Sequence, residues 1–269
     1  MRVTMNHVKR AFKYRFYPTE AQATELSRTF GCVRKVYNLA LAARSEAWTL
    51  RQEQVTYNQT SAMLTGWKRT EELAFLSEVS SVPLQQTLRH VQTAFTHFFA
   101  KRAKYPRFKT RKKSRKSAEY SRSGFRFRDG RLTLAKMTEP LDIVWSRPLP
   151  EGAQPSTVSV SQDVAGRWFV SMLCDDPTIG PLPTADAAVG IDVGLIHLLT
   201  LSSGEKVANP RHERRDRGRL VRAQRELSRK AKGEGTNRAK ARRKVAKIHA
   251  RIADRRRDLL HKFDHSARA

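Results

Sequence analysis

The residues best placed to do chemistry lie in one short motif, Val189 to Leu195, which reads VGIDVGL. It sets a single carboxylate, Asp192, within an apolar strand, with a glycine two residues away on either side. A buried aspartate is costly unless it is paired, hydrogen-bonded or bound to a cation. Asp192 is therefore expected to be a metal ligand or a structural acceptor, and the motif alone does not decide between them, because short Gly-Asp-Gly patterns are common.

The elements after the motif favour the metal-ligand interpretation. A second strand, His197 to Leu201, is followed by a Ser-Ser-Gly turn and a third strand around Lys206 to Ala208. This order is the opening of an RNase H-like sheet, whose first strand carries a metal-binding aspartate. The later acidic residues stand in a turn or among arginines, where ion pairing is the expected role. They are Glu205, Glu213, Asp216, Glu226, Asp254, Asp258 and Asp264.

The charge of the chain predicts a polyanionic partner. Its 53 Lys and Arg against 25 Asp and Glu give a formal net charge of +28, which favours binding to a phosphate backbone. A membrane is disfavoured, because no segment approaches the roughly 20 apolar residues of a spanning helix and the N-terminus lacks a signal-peptide core. We expect a cytoplasmic, nucleoid-associated protein. The two cysteines, Cys32 and Cys174, stand too far apart to predict a zinc site.

Two basic regions are the candidates for phosphate binding. The first, residues 101–128, interleaves cations with aromatics and contains Tyr105, Arg107, Lys109 and Arg111. Tyr105 or Phe108 could stack on a base, although a solvated linker is the alternative. The second region, between Arg211 and Phe263, is predicted to form two long basic helices joined by the loop 233–235. The second of these helices has one apolar face, typical of an amphipathic helix.

The N-terminal part is predicted to be a strand followed by helices. Residues 8–17 alternate between apolar and basic, the period of a half-buried strand. Thr19 and Gln22 form a capping-box pattern, followed by one or two helices to about Leu50. Further helices are expected over residues 57–72 and from near Pro83 onwards.

Short strands follow between Phe125 and Cys174, so this region is predicted to be a small β-unit. The first strand has no partner among the helices, so we expect it to join this later unit and the helices to be an insertion. Prolines 177, 181 and 183 mark a boundary near Ala185.

Taken in order, these segments resemble the TnpB (OrfB) family of transposon-encoded RNA-guided nucleases, also named transposases. The residues that carry the resemblance are 12–22, 36–38, 57–61, 76–79 with 84–85, 95–99, 105–108, 190–195 and 261–263.

The resemblance implies an α+β chain with a split oligonucleotide-binding-like β-barrel, called the wedge, and an inserted helical recognition lobe. An incomplete RuvC-like, RNase H-like α/β domain would follow. The expected division is 1–18 for the first wedge strand, 19–118 for the lobe, 119–184 for the wedge barrel and 185–269 for the RuvC-like domain. A sheet lacking its later strands is expected to aggregate or to be partly disordered.

The resemblance also implies partners, namely a guide RNA from the transposon end and a double-stranded DNA target. The lobe reads a short motif beside the target, which makes Tyr57, Gln59, Ser61 and Gln85 candidate DNA contacts, although each could equally be a helix cap or an exposed polar residue. The basic helices are expected to bind guide or heteroduplex by charge and shape. Their candidate contacts are Arg242, Arg243 and Arg255.

By the same resemblance, Asp192 matches the first of three catalytic carboxylates that bind Mg²⁺ for DNA cleavage, and the other two would lie beyond Ala269. Since two-metal catalysis needs several converging carboxylates, this chain alone is expected to bind without cutting. The alternatives are an RNA-guided DNA-binding repressor and a general basic RNA-binding protein in which Asp192 is structural.

Overall fold

A computed structural model describes residues 8–176, 188–230 and 236–266; residues 236 and 264–266 are described by their backbone only. The chain divides into two compact units, the first made of residues 1–163 and 167–179 and the second of residues 164–166 and 180–269. Two predictions lie outside the described residues. They are the boundary near Ala185, with prolines 177, 181 and 183, and the loop 233–235. None of the described helices has the length and apolar composition that a membrane span requires.

The first unit contains three α-helices that pack through apolar faces: α1 (Glu20–Arg51), α2 (Tyr57–Trp67) and α3 (Ser81–Phe99). The predicted capping box is confirmed, because the Thr19 and Gln22 side chains each accept the other's backbone N–H. The region predicted as one or two helices is the single helix α1.

One helix boundary differs from the prediction. Helix α2 ends at Trp67 rather than near Glu72, because Arg69 and Thr70 donate backbone hydrogen bonds three residues back and tighten the chain into a turn. A 3-10 helix, Glu71–Ser77, follows. Helix α3 begins near Pro83 as predicted, at Ser81, where the Ser80 side chain accepts from the backbone N–H of Val82 and caps the helix.

The sheet of the first unit joins the two ends of its sequence. Its strands are β1 (Val8–Tyr17), β2 (Lys116–Ser121), β5 (Asp142–Val144), β6 (Thr157–Gln162) and β7 (Trp168–Asp176), in the order β2-β6-β7-β1-β5. All neighbours are antiparallel, and β1 pairs with both β7 and β5. The expectation that the first strand joins the later β-unit is thus confirmed, and α1 to α3 are inserted between strands of one sheet.

A separate hairpin, β3 (Phe125–Arg128) with β4 (Arg131–Leu134), turns at Asp129 and Gly130 as predicted. Strand β2 was not predicted, because its cationic surroundings resemble a linker. Only Ala118 and Tyr120, at a spacing of two, are buried along it. These inward side chains share one core with Phe12, Tyr14 and α3.

The second unit contains a three-stranded antiparallel sheet and two helices. The strands are β8 (Ile191–Asp192), β9 (His197–Leu201) and β10 (Lys206–Ala208), with β9 in the centre. Helices α4 (His212–Ser228) and α5 (Thr236–Ser266) pack against each other, and their buried apolar residues are Leu220, Ala223, Ala241 and Ile252. The two predicted basic helices are confirmed.

Candidate nucleic-acid interface

Helices α4 and α5 are joined across their contact by a buried carboxylate. Asp216 is 1% exposed. Arg255 donates a short hydrogen bond to it, and the guanidinium groups of Arg219 and Arg251 lie 3.9 Å from its other oxygen. A carboxylate removed from water needs such partners. Arg255, a predicted nucleic-acid contact, is therefore engaged within the protein.

The other described acidic side chains of these helices are also paired. Glu226 accepts from Lys244 at 2.8 Å and Glu213 from Arg256 at 3.2 Å, both between α4 and α5. The Lys244 ammonium lowers the pKa of the Glu226 carboxyl. Within α5, Asp258 lies 2.9 Å from Lys262 and Asp254 lies 3.9 Å from Arg257. The predicted pairing with arginine is confirmed for Asp216, Glu213 and Asp254, whereas Glu226 and Asp258 pair with lysines. The Asp264 side chain is outside the description.

The cations of α4 and α5 far exceed these acids. Lys and Arg number seventeen in the two helices, against six Asp and Glu. Arg242 and Arg243 are exposed, and neither forms an ion pair with any described residue. Five of the six acids are thus paired within α4 and α5, whereas Arg242, Arg243 and Lys247 are exposed on α5. We call these three cations the α5 outer surface.

The segment after α3 is held to the helices by two of its predicted contact residues. The Tyr105 hydroxyl lies 2.8 Å from the Ser45 hydroxyl, and its ring packs edge-on against Phe95 and Phe98. Lys109 exchanges hydrogen bonds of 2.8 and 2.9 Å with the Asn38 side chain through its backbone.

The Lys109 ammonium lies 3.8 Å from the centroid of the Tyr37 ring, and burial lowers its pKa. Lys109 thus has a structural role, and its contact with phosphate stays a prediction. Arg107 and Arg111 are exposed, in keeping with the phosphate-binding role predicted for them.

Three of the four candidate DNA contacts lie on one side of α2 and α3. Tyr57 and Ser61 are one turn apart on α2, while Gln85 and Arg89 are one turn apart on α3. The guanidinium of Arg89 stands 5.2 Å from the centroid of the Tyr57 ring. This contact joins the pair of residues on α2 to the pair on α3, and we call the four together a row. Arg89 was missed by sequence reasoning, although its four-residue spacing from Gln85 was a usable signal.

Gln59 is a helix-capping residue. Its side-chain oxygen accepts from the backbone N–H of Thr56 at 2.7 Å and from the Thr56 hydroxyl at 2.9 Å. The Thr56 hydroxyl in turn accepts from the backbone N–H of Gln59. Of the three roles that the sequence left open for Gln59, namely a DNA contact, a helix cap and an exposed polar residue, the structure shows the cap.

The surroundings of Asp192 differ from the prediction. Asp192 is exposed at the end of the two-residue strand β8, and its apolar neighbours Ile191 and Val193 are exposed as well. The expectation of a buried carboxylate is therefore wrong, because no described element packs on this part of the sheet. The motif is held by Ser202, which exchanges hydrogen bonds with the backbone of Gly190.

The described donor groups around Asp192 do not by themselves fit a pair of Mg²⁺ ions. Such a pair needs several carboxylates that converge on one point. Within the described ranges, no three His, Cys, Asp or Glu side chains come together in this way. Asp192 alone could contribute one ligand of a larger set.

Comparisons with known proteins agree with the resemblance seen in the sequence. A family model described as "Probable transposase" matches residues 170–266, and one described as "Helix-turn-helix domain" matches residues 5–53, a range that contains β1 and α1. A protein of Streptomyces pristinaespiralis named "Putative RNA-guided DNA endonuclease" is 71% identical over 259 residues, which are 96% of this chain and 64% of that protein. The chain belongs to the TnpB (OrfB) family.

A second relative, from Escherichia coli strain K12, has a lower sequence identity to this chain. It is named "Putative RNA-guided DNA endonuclease InsQ" and is 33% identical over 265 residues, which are 94% of this TnpB-family chain and 61% of that protein. The chain thus spans less than two thirds of the length of either relative.

A solved structure shares the fold of the chain. The protein in the cryo-EM structure of the Cas12f1-sgRNA-target DNA complex matches with a TM-score of 0.54 and 10% sequence identity, over 96% of this chain and 77% of that one. At this identity the likeness concerns the fold alone. It agrees with the α+β class and the antiparallel sheets described above.

Proposed function

We propose that this TnpB-family chain binds a guide RNA from the transposon end and, through that RNA, a double-stranded DNA target. The observation that carries the proposal is the α4–α5 hairpin, in which five carboxylates are paired internally while Arg242 and Arg243 remain exposed. An A-form backbone is recognised by charge and shape rather than by base edges, which suits such a surface.

The domain roles that we propose follow the family resemblance. Residues 1–18 and 119–184 would form the wedge, residues 19–118 the recognition lobe, and residues 185–269 part of a RuvC-like domain. The row made by Tyr57, Ser61, Gln85 and Arg89 supports target-DNA contact by the lobe, because it combines an aromatic ring, hydrogen-bonding groups and a cation. Gln59 would position that row by capping α2.

Filter binding at several salt concentrations tests this proposal against a general basic RNA-binding protein. We expect the chain loaded with its cognate RNA to prefer the DNA complementary to the guide over an unrelated duplex of equal length. Binding that is equal for both duplexes and steeply dependent on salt would instead support general polyanion binding.

We further propose that this chain alone does not cut DNA, since its described residues place Asp192 without converging carboxylates. A supercoiled plasmid carrying the target, incubated with Mg²⁺ and the RNA-loaded chain, is expected to stay intact. Guide-dependent nicking that disappears in Asp192→Ala would contradict this expectation and would make Asp192 a catalytic residue.

A further inference from the structure

The first unit contains an aromatic groove that sequence reasoning did not find. It has a volume of about 770 Å³ and lies between the C-terminal ends of α1 and α3, the start of α2 and the segment after α3. Its six aromatic lining residues are Trp48, Tyr57, Phe95, Phe98, Phe99 and Tyr105. Trp48 is 52% exposed and Phe99 68% exposed, so large flat rings face the open groove. Exposed aromatic clusters of this kind mark binding surfaces.

A buried cation also lines the groove. Arg44 is only 8% exposed, and burial lowers its pKa. One guanidinium nitrogen donates to Gln92 at 2.6 Å, and the group stands 5.1 Å from the centroid of the Phe95 ring. Its Nε has neither solvent contact nor a hydrogen-bond partner. No described carboxylate pairs with Arg44, and a buried charge without a counter-ion is costly.

The acidic residue at the rim does not neutralise this cation. Glu53 lines the groove, but its carboxylate is 2.8 Å from the guanidinium of Arg51. The groove therefore combines stacking surfaces with positive charge that nothing within the described chain compensates.

We propose that this groove binds one unstacked nucleotide of a single-stranded nucleic acid, with the base against Trp48 and Phe99 and a phosphate near Arg44. A nucleotide satisfies both features of the site, because its base has two aromatic faces and its phosphate supplies the missing negative charge. The cavity is of the size that holds small ligands. The inference rests on the proposed function, since it names a subsite for the nucleic acid bound there.

An acidic peptide is the other occupant that positive charge would admit. It is disfavoured because carboxylates would leave the exposed faces of Trp48 and Phe99 uncovered, whereas a base stacks on them. The amide groups of Asn58, Gln54 and Gln92 along the groove can hydrogen-bond to base edges.

The test measures binding of a fluorescein-labelled RNA hexanucleotide to the full chain by anisotropy, beside the same hexanucleotide with one base removed. We expect Trp48→Ala and Phe99→Ala each to weaken binding of the intact hexanucleotide by roughly 5- to 150-fold, the value of one lost stacking contact. Binding of the abasic form should change much less. Trp48→Phe should keep the affinity and lose the quenching of tryptophan fluorescence that the intact RNA causes.

The matched control is Leu50→Ala, an apolar residue of α1 that is 75% exposed and does not line the groove. It should bind like the unaltered chain. Arg44→Lys should retain more affinity than Arg44→Met, and thermal melts report whether either variant folds.

Several outcomes would overturn the inference. Hexanucleotide binding that Trp48→Ala and Phe99→Ala leave unchanged would do so, as would equal loss for the abasic form. Full competition by hexaglutamate at equal charge would assign the groove to acidic peptides. In all these cases binding of the complete guide RNA would persist, so the proposed function would stand; loss of guide-RNA binding by the unaltered chain would reject that function separately.

Discussion

Neutralising the α5 outer surface, as Arg242→Gln, Arg243→Gln and Lys247→Gln together, is expected to weaken guide-RNA binding by about 100-fold at physiological salt. Each of these cations is exposed, so each is free to replace a counter-ion on a phosphate. Three lost contacts should also lower the slope of log affinity against log salt by about 2 to 3. The measurement is a salt titration of RNA binding for the variant and the unaltered chain.

The control for this experiment preserves the net charge of the hairpin. Lys244→Gln combined with Glu226→Gln removes an ion pair of 2.8 Å on the same two helices and should leave both affinity and slope nearly unchanged. If the triple variant kept the original salt slope, the α5 outer surface would not contact phosphate, and the site of RNA binding would have to be sought elsewhere.

Replacing Asp216 with alanine is expected to destabilise the α4–α5 hairpin by about 2 to 3 kcal/mol. Removing one member of a buried ion pair costs roughly 3 to 5 kcal/mol. The loss is smaller here because the arginine side chains keep water contact: Arg255 is 31% exposed, Arg251 53% and Arg219 65%. Three cations would then face one another across the helix contact without a carboxylate between them.

Hydrogen exchange of the α4 and α5 amides measures this effect directly. Tryptophan fluorescence does not, since all four tryptophans belong to the first unit, namely Trp48, Trp67, Trp145 and Trp168. Asp258→Ala is the matched control: its carboxylate is 67% exposed and pairs with Lys262 within α5, so its removal should cost no more than about 0.5 kcal/mol. Equal protection in Asp216→Ala and the unaltered chain would show that helix packing alone holds the hairpin.

Both expected results depend on the same arrangement. In the α4–α5 hairpin the paired acids include the buried Asp216. We expect these ion pairs both to hold α5 in its orientation and to leave its exposed cations without acidic partners. We therefore expect Asp216→Ala to weaken RNA binding although Asp216 does not line the α5 outer surface.

The sequence determined the features that depend on short-range pattern. Alternation predicted β1 and the strands around Asp129 and Gly130, and the Thr19–Gln22 spacing predicted the cap of α1; all are confirmed. Composition predicted the basic helices, and the order of the motifs identified the family. These features are readable because strand and helix periods and caps involve residues only a few positions apart.

Only the tertiary structure decided which cations are available to bind phosphate and which segments form the aromatic groove. Lys109 is hydrogen-bonded to Asn38, 71 positions away, and Arg255 to Asp216, 39 positions away. Neither hydrogen bond could be recognised in a local sequence pattern. The exposure of Asp192 and the unpaired burial of Arg44 likewise depend on what packs, or does not pack, against them. Burial and charge compensation are properties of side chains brought together by the whole fold, and spacing along the chain does not encode them directly.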